Sequence, residues 1–296
     1  MIRKLLLGAA IAAAVPSAWA CPSCQCGDPT LTLMGVEKSY AGRTRFSFDY
    51  LNRSEIQGEG VDRSRLRENR YVLGASYAFT PDFSMALRLP FSSKSAERAT
   101  LTKDEAKGLG DAEIIAKYTL VKTGGISGRH LFGVQAGLRM PTSSEQTDSA
   151  GNAIDVDAQP GTGAWAPSLG VWYGYFQYPQ SVYVTVTAID PTRHGYQGLD
   201  QAAVLLTTVT GQYAVTKNWS LQLGLESRIA GHNKFYGAED GDSGGTTVFA
   251  APGMVFSLGE SWILHASGQI PVLQHQHGVQ DERGDIRVGI AYDLPR

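Results

Sequence analysis

The feature that most constrains this chain is an alternation of long and short connections between segments of two-residue hydrophobic periodicity. Phe46, Phe48 and Tyr50 alternate with Arg45, Ser47 and Asp49. Tyr71, Leu73, Ala75 and Tyr77 alternate with Arg70, Gly74 and Ser76, and Leu221, Leu223 and Leu225 with Gln222, Gly224 and Glu226. Such a pattern is a strand with one apolar and one polar face. Twelve segments of this kind fall near 43–54, 64–79, 83–95, 108–121, 129–141, 161–176, 181–191, 201–216, 219–231, 246–258, 262–273 and 285–294. Connections after even-numbered segments are short: 81–82, 122–128, 177–180, 217–218 and 259–261. Those after odd-numbered segments are longer and polar: 55–63, 96–107, 142–160, 192–200, 232–245 and 274–284. A soluble sandwich has no reason to keep this alternation, whereas a membrane barrel carries turns on one rim and loops on the other. The segments also suit the roughly nine to eleven residues of a tilted spanning strand. The expected fold is all-β: a transmembrane, antiparallel, up-and-down β-barrel of about twelve strands over residues 43–296.

The aromatic residues agree with that reading. Tyr77, Phe79 and Phe83 flank one short turn, and Tyr173, Tyr175, Phe176, Tyr178 and Tyr183 crowd another. Trp219 and Trp262 each open a strand just after one. An aromatic girdle belongs at this level of a membrane barrel.

The N-terminus carries an export signal. Arg3 and Lys4 form its basic start, Leu5 to Val15 its apolar run, and Ala18-Trp19-Ala20 a small-x-small cleavage pattern. The run is too short for the roughly twenty residues of a spanning helix. Residues 1–20 are therefore assigned to a cleavable signal peptide and 21–42 to a cysteine-containing segment at the periplasmic mouth. Lipidation of Cys21 is the alternative, although Ala18 and Trp19 stand where lipoprotein signals carry an aliphatic and then a small residue. Export followed by a barrel places the chain in a bacterial outer membrane. A net charge of −2 excludes an electrostatic surface for nucleic acid.

By the alternation, Arg45, Asp49, Arg88, Asp111, Glu113, Lys117, Arg139, Glu226, Arg228, Asp285, Arg287 and Asp293 face the lumen. Both signs are present, which argues against strong ion selectivity and is equally what an internal ion-pair network needs. Cys21, Cys24 and Cys26 are the only cysteines. An oxidising periplasm favours a disulfide, which leaves one thiol over, while closely spaced thiolates suit a soft metal ion such as Cu(I) or Zn²⁺. No other cofactor is assigned. His275 and His277 stand among Gln274, Gln276 and Gln280 in one loop, and Glu239-Asp240-Gly241-Asp242 is an acidic tip in another. The default for both is a solvated loop. No nucleophile elbow or Ser/His/acid grouping appears, so the chain is not assigned as an enzyme.

Several segments resemble a family of proteobacterial outer-membrane barrels described as meta-pathway phenol-degradation-like transporters. They are Gly108-Leu109-Gly110-Asp111 opening a strand that ends at Tyr118, and Gly161-Thr162-Gly163-Ala164-Trp165 opening another. Further on come Gly244-Gly245-Thr246-Thr247, Ala251-Pro252-Gly253, Ile270-Pro271-Val272-Leu273-Gln274, Gly278-Val279-Gln280 and Gly289-Ile290-Ala291-Tyr292. The resemblance implies a transporter-like barrel. The last strand also resembles the signal read by barrel-assembly machinery, with Leu294 where an aromatic residue usually ends the chain and Pro295-Arg296 after it. The function expected is passage of a small solute or metal ion. The alternatives are a non-conducting metal-binding or structural outer-membrane protein, and a lipid-modifying enzyme at the rim. Expected partners are outer-membrane lipid, the assembly machinery and the solute itself.

Overall fold

A computed structural model describes residues 40–58, 60, 63–100, 102–124, 129–192 and 195–295. The signal peptide and Cys21, Cys24 and Cys26 lie outside the described residues.

One sheet runs round the molecule and closes on itself. Its staves are β1 (Thr44–Gln57), β2 (Ser64–Ala78), β3 (Phe83–Arg98), the pair β4 (Lys103–Leu109) and β5 (Ala112–Thr123), β6 (His130–Met140), β7 (Ala166–Gln177) and β8 (Gln180–Ile189). The short β9 (Leu199–Asp200) lies in a loop. The staves continue with β10 (Val204–Ala214) and β11 (Trp219–Ala230); β12 (Lys234–Phe235) lies in a loop between β9 and β13 (Ala238–Glu239) and pairs with both. The last staves are β14 (Gly245–Leu258), β15 (Trp262–Gln276) and the pair β16 (Gln280–Glu282) and β17 (Asp285–Asp293). Each stave pairs antiparallel with the next, and β1 pairs with β2 on one side and with β16 and β17 on the other. The result is a closed antiparallel barrel of twelve strands. Closure is what a sheet in lipid requires, because an open edge would leave backbone N–H and C=O groups with no partner.

The two faces of the staves differ as the alternation demands. Leu73, Leu169 and Leu223 are 58%, 68% and 62% exposed, and Phe46, Phe48, Val209, Leu225 and Ile286 are exposed with them. Soluble proteins rarely expose contiguous apolar patches beyond a few hundred Å², so a belt of this kind needs lipid against it. The opposite parity carries buried Arg45, Arg53, Glu68, Arg70, Lys94, Thr208 and Arg228. Among the described residues no helix is long and apolar enough to cross a membrane.

Two of the short turns share a local device. The Thr80 hydroxyl accepts the backbone N–H groups of Asp82 and Phe83 at 3.1 and 2.9 Å, and Thr216 accepts those of Asn218 and Trp219 at 3.2 and 3.0 Å. A Thr followed by Pro-Asp or Lys-Asn thus folds back on its own backbone and reverses the chain. The following aromatic residue opens the next strand in a girdle at this rim. Phe79 and Phe83 lie 5.5 Å apart, Trp219 and Phe256 4.7 Å, and Trp262 and Tyr292 4.5 Å, between ring centroids.

Three expectations change. Residues 103–107 are strand rather than loop, and Gly108-Leu109-Gly110-Asp111 lies within a stave, at the break between β4 and β5, instead of opening it. Apart from the buried Ala106, Lys103 to Lys107 is polar, so no two-residue hydrophobic period marks it. Residues 161–165 do not open a strand; β7 starts at Ala166, and the glycine-rich stretch before it packs inward.

The facing of β11 gives a direct test. Leu223 points out, whereas Gln222 points in and donates to Gln212 at 2.9 Å. Leu223→Arg is expected to destabilise the folded barrel by up to about 2–4 kcal/mol if it lies near the bilayer midplane, and Gln222→Arg by much less. Heat-modifiability on gels reads both; equal tolerance would refute this register.

Candidate functional site: the barrel interior and its inward loop

Opposite charges on neighbouring inward positions meet across the strands. At the seam that closes the sheet, Arg45 and Asp293 are register partners. The Arg45 guanidinium grips both carboxylate oxygens, at 2.7 and 2.8 Å, and Arg43 adds a third contact at 2.8 Å. Further along β1, Asp49 lies 2.8 Å from His265 of β15. Arg88 on β3 pairs with Glu113 on β5 at 2.8 Å, again as register partners. Arg139 donates to Gln201 at 3.3 Å. Glu226 accepts from Gln269, and Arg228 meets Glu282, which also receives Arg53 at 3.2 Å. Arg287 is half-buried on the inward face of β17. Lys117 sits 4.2 Å from the ring centre of Trp172 and 4.6 Å from that of Tyr183, and donates to the Tyr183 hydroxyl at 2.8 Å. Such cation–π contacts help hold the ammonium against the inner wall.

Sequence reasoning missed Arg53, Glu55, Glu68, Arg70 and Lys94, a buried charged group on β1, β2 and β3. Glu68 takes both Arg70 nitrogens, at 2.8 and 2.9 Å, and the Ser92 hydroxyl at 3.0 Å. Arg70 already stood in the alternation, and the same period carried further along β1, β2 and β3 reaches the others. It also missed His265, whose partner Asp49 is distant in sequence.

Asp111 differs from the rest, because its partners are not on the wall. Three residues, 110–112, face Leu89 and Pro90 of β3 across the β4–β5 break, since Leu109 pairs with Phe91 and Glu113 with Arg88. Pro90 has no N–H for the ladder, and the Gly110 N–H reaches its carbonyl at 2.9 Å. This bulge turns the Asp111 carboxylate inward. One oxygen accepts the Ser143 hydroxyl at 2.6 Å and the Ser143 N–H at 3.2 Å. The other accepts the Thr162 N–H at 2.7 Å and its hydroxyl at 3.1 Å. Both ends of the loop between β6 and β7 are thereby tied to one carboxylate.

The glycines make room for this latch. A Cβ on Gly161 would strike the Ser143 hydroxyl and stand 2.7 Å from Asp111, and one on Gly110 would stand 2.9 Å from the Pro160 carbonyl. The Tyr196 hydroxyl donates to the Ser143 carbonyl at 2.7 Å, and its N–H to that of Thr162 at 2.9 Å. Burial pushes the Tyr196 phenol above its ordinary value against the pull of its bond to Ser143, with Asp111 and Glu145 adding to the rise. The phenol therefore stays a donor at neutral pH.

The middle of the loop is held separately. Ile154 and Ala158 pack on Leu66, Ala96 and Ala106 of β2, β3 and β4. The fully buried Gln159 accepts from the Gln146 N–H and donates to the Gln146 and Ile154 carbonyls, each at 2.9 Å. Arg98 pairs with Asp155 at 2.7 Å, and Lys94 donates to the Asp157 carbonyl at 3.3 Å. Neighbouring loops lock in: Tyr236 N–H to the Gly198 carbonyl at 3.0 Å, and Gly58 N–H to that of Val279 at 2.7 Å. The long-loop rim is thus a connected cap, with loop 141–165 folded in beneath it. Among the described residues no three His, Cys, Asp or Glu side chains are grouped so that they could hold a metal ion.

Neither a protein-family description nor a curated protein matches the chain. Solved structures do. The COG4313 outer membrane channel from Pseudomonas putida F1 superposes with a TM-score of 0.71 at 17% identity, covering 92% of this chain and all of that one. The translocator domain of the autotransporter NalP from Neisseria meningitidis superposes with a TM-score of 0.51 at 12% identity, covering 88% and 91%. At these identities the likeness concerns the fold: a β-barrel of the bacterial outer-membrane type.

Asp111→Ala leaves two backbone N–H groups and two hydroxyls without their acceptor, and is expected to weaken loop anchoring by about 2–4 kcal/mol. Limited proteolysis of the detergent-solubilised barrel should then cut within 141–165 faster than in the parent, with heat-modifiability unchanged. Identical cleavage rates would show that the latch does not hold the loop.

Proposed function

We propose that the chain is an outer-membrane channel for a small solute, with its long-loop rim extracellular and its short turns periplasmic. The observation that carries this reading is a polar, ion-paired interior, enclosed by an apolar exterior, with a long loop at one rim tied to the inner wall through side-chain bonds. A structural barrel has no need of a separately latched segment in its mouth. Such a segment, held by one carboxylate, an apolar patch and two cationic side chains, is displaceable as a unit. The resemblance to phenol-degradation-like transporters supports transport over a purely structural role. The mixed signs along the wall support weak discrimination between cations and anions. Outer-membrane lipid and the barrel-assembly machinery are the partners this reading needs.

In planar bilayers the purified barrel should give discrete conductance steps with little cation or anion preference, and Asp111→Ala should raise the open fraction. Silence from both proteins would overturn the channel. Orientation is read separately in intact cells. A bulky thiol label should reach a cysteine at Ser149 and fail to reach one at Asp82; the opposite result would invert the topology.

A further inference from the structure

The cations on the lipid-facing side of the staves are gathered in one place. Among the described residues, the Lys and Arg side chains on outward strand positions are Arg65 and Arg67 of β2 and Lys103 and Lys107 of β4. All four lie at the long-loop end, on the two strands that flank β3.

The register sets these strands out as a grid. Tyr71, Phe91 and Leu109 form one row, exposed like Leu73 and Leu89 in the row below. The next row up is Asn69, Ser93 and Lys107, then Arg67, Ser95 and Glu105, then Arg65, Glu97 and Lys103. Asn52 of β1 extends the Asn69 row, and Ser54 the Arg67 row. Rows two residues apart are separated by roughly 7 Å along a strand. With staves tilted by about 40°, Lys107 stands roughly 5 Å and Arg67 roughly 10 Å above the last apolar row. The headgroup zone is about 5–8 Å deep on each side of the hydrocarbon. The lower two cations therefore stand at the level of lipid phosphates, and the upper two can reach down to it on long side chains.

The protein leaves most of this charge unneutralised. Arg65, Arg67 and Lys107 form no ion pair among the described residues, and Lys103 meets Glu105 of its own strand. Between them stand hydroxyl and amide donors. The Asn69 side-chain oxygen accepts the Tyr50 hydroxyl at 2.7 Å and the Asn52 amide at 2.9 Å, which leaves the Asn69 NH₂ group as a donor on the same face.

We propose that this outer face of β1 to β4 binds the phosphorylated headgroup of an outer-leaflet glycolipid of the lipopolysaccharide class, whose acyl chains lie on the apolar rows below. Cations on β2 and β4 are two strands apart, roughly 10 Å. That spread suits a broad headgroup with more than one phosphate, each held by charge-assisted bonds. A zwitterionic phospholipid brings a single phosphate together with its own ammonium. The choice of leaflet rests on the orientation proposed above, whereas binding does not depend on conductance.

The test is native mass spectrometry of the folded full chain in detergent, titrated with bisphosphorylated lipid A. One lipid retained per barrel is expected. Arg67→Gln with Lys107→Gln should weaken retention about tenfold or more, as should removal of both phosphates from the lipid. Lys122→Gln, which removes a cation at the opposite rim, should change nothing. Heat-modifiability checks folding; if the double variant fails it, Arg65→Gln with Lys103→Gln replaces it. Equal retention by parent and variant, or of the lipid with and without phosphates, overturns the site. Displacement by equimolar inorganic phosphate would make it a simple anion site and overturn the lipid. Reversed labelling at Ser149 and Asp82 would place the patch in the inner leaflet and overturn the glycolipid. Silence in planar bilayers with lipid A retained would strike the channel reading alone.

Discussion

A peptide backbone in hydrocarbon has no water to bond, so every N–H and C=O of a spanning strand needs a partner in the sheet. In this chain that condition is met only because β1 pairs on both of its edges. The register Arg45↔Asp293 brings a bidentate ion pair onto the seam where the first and last staves, β1 and β17, meet. Closure sets everything else. It divides the side chains into a set that meets lipid and a set that meets the interior, and the second set has to satisfy its own polarity. It does so by pairing across strands, as Arg88 does with Glu113, and along one strand, as Arg70 does with Glu68 on β2.

The same closure leaves one rim with short turns and the other with loops long enough to fold back. Loop 141–165 does fold back, and its anchorage is graded. An apolar patch around Ile154 and Ala158 holds its middle, while one carboxylate, Asp111, holds both ends. The bulge at Pro90 is what aims that carboxylate off the wall. A ladder interrupted at a proline thus becomes the place where the barrel grips its own loop.

The strands were legible in the sequence because lipid on one face and polar groups on the other enforce a strict period of two. Phe46, Leu73 and Leu223 announce their outward facing by that rule alone. The period fades where the apolar belt ends, which is why Lys103 to Lys107 reads as loop although it forms most of β4. The interior was legible as a set of charges and not as pairs: Asp49 finds His265, and Arg228 finds Glu282, through the third dimension. The motif Gly161 to Trp165 resembled a strand opening because glycine often stands there. Its glycine instead lets the backbone approach Asp111.

The central claim is a barrel that shows lipid its apolar face and keeps a secluded polar interior, and tryptophan fluorescence tests it most directly. Trp219 and Trp262 are exposed on the outer belt, at 45% and 43%, while Trp172 is 4% exposed inside. Variants retaining one of these three tryptophans each would be reconstituted in vesicles of brominated lipid. The account predicts strong quenching of Trp219 and Trp262 and little of Trp172. Equal quenching of all three, or none in any, would contradict it.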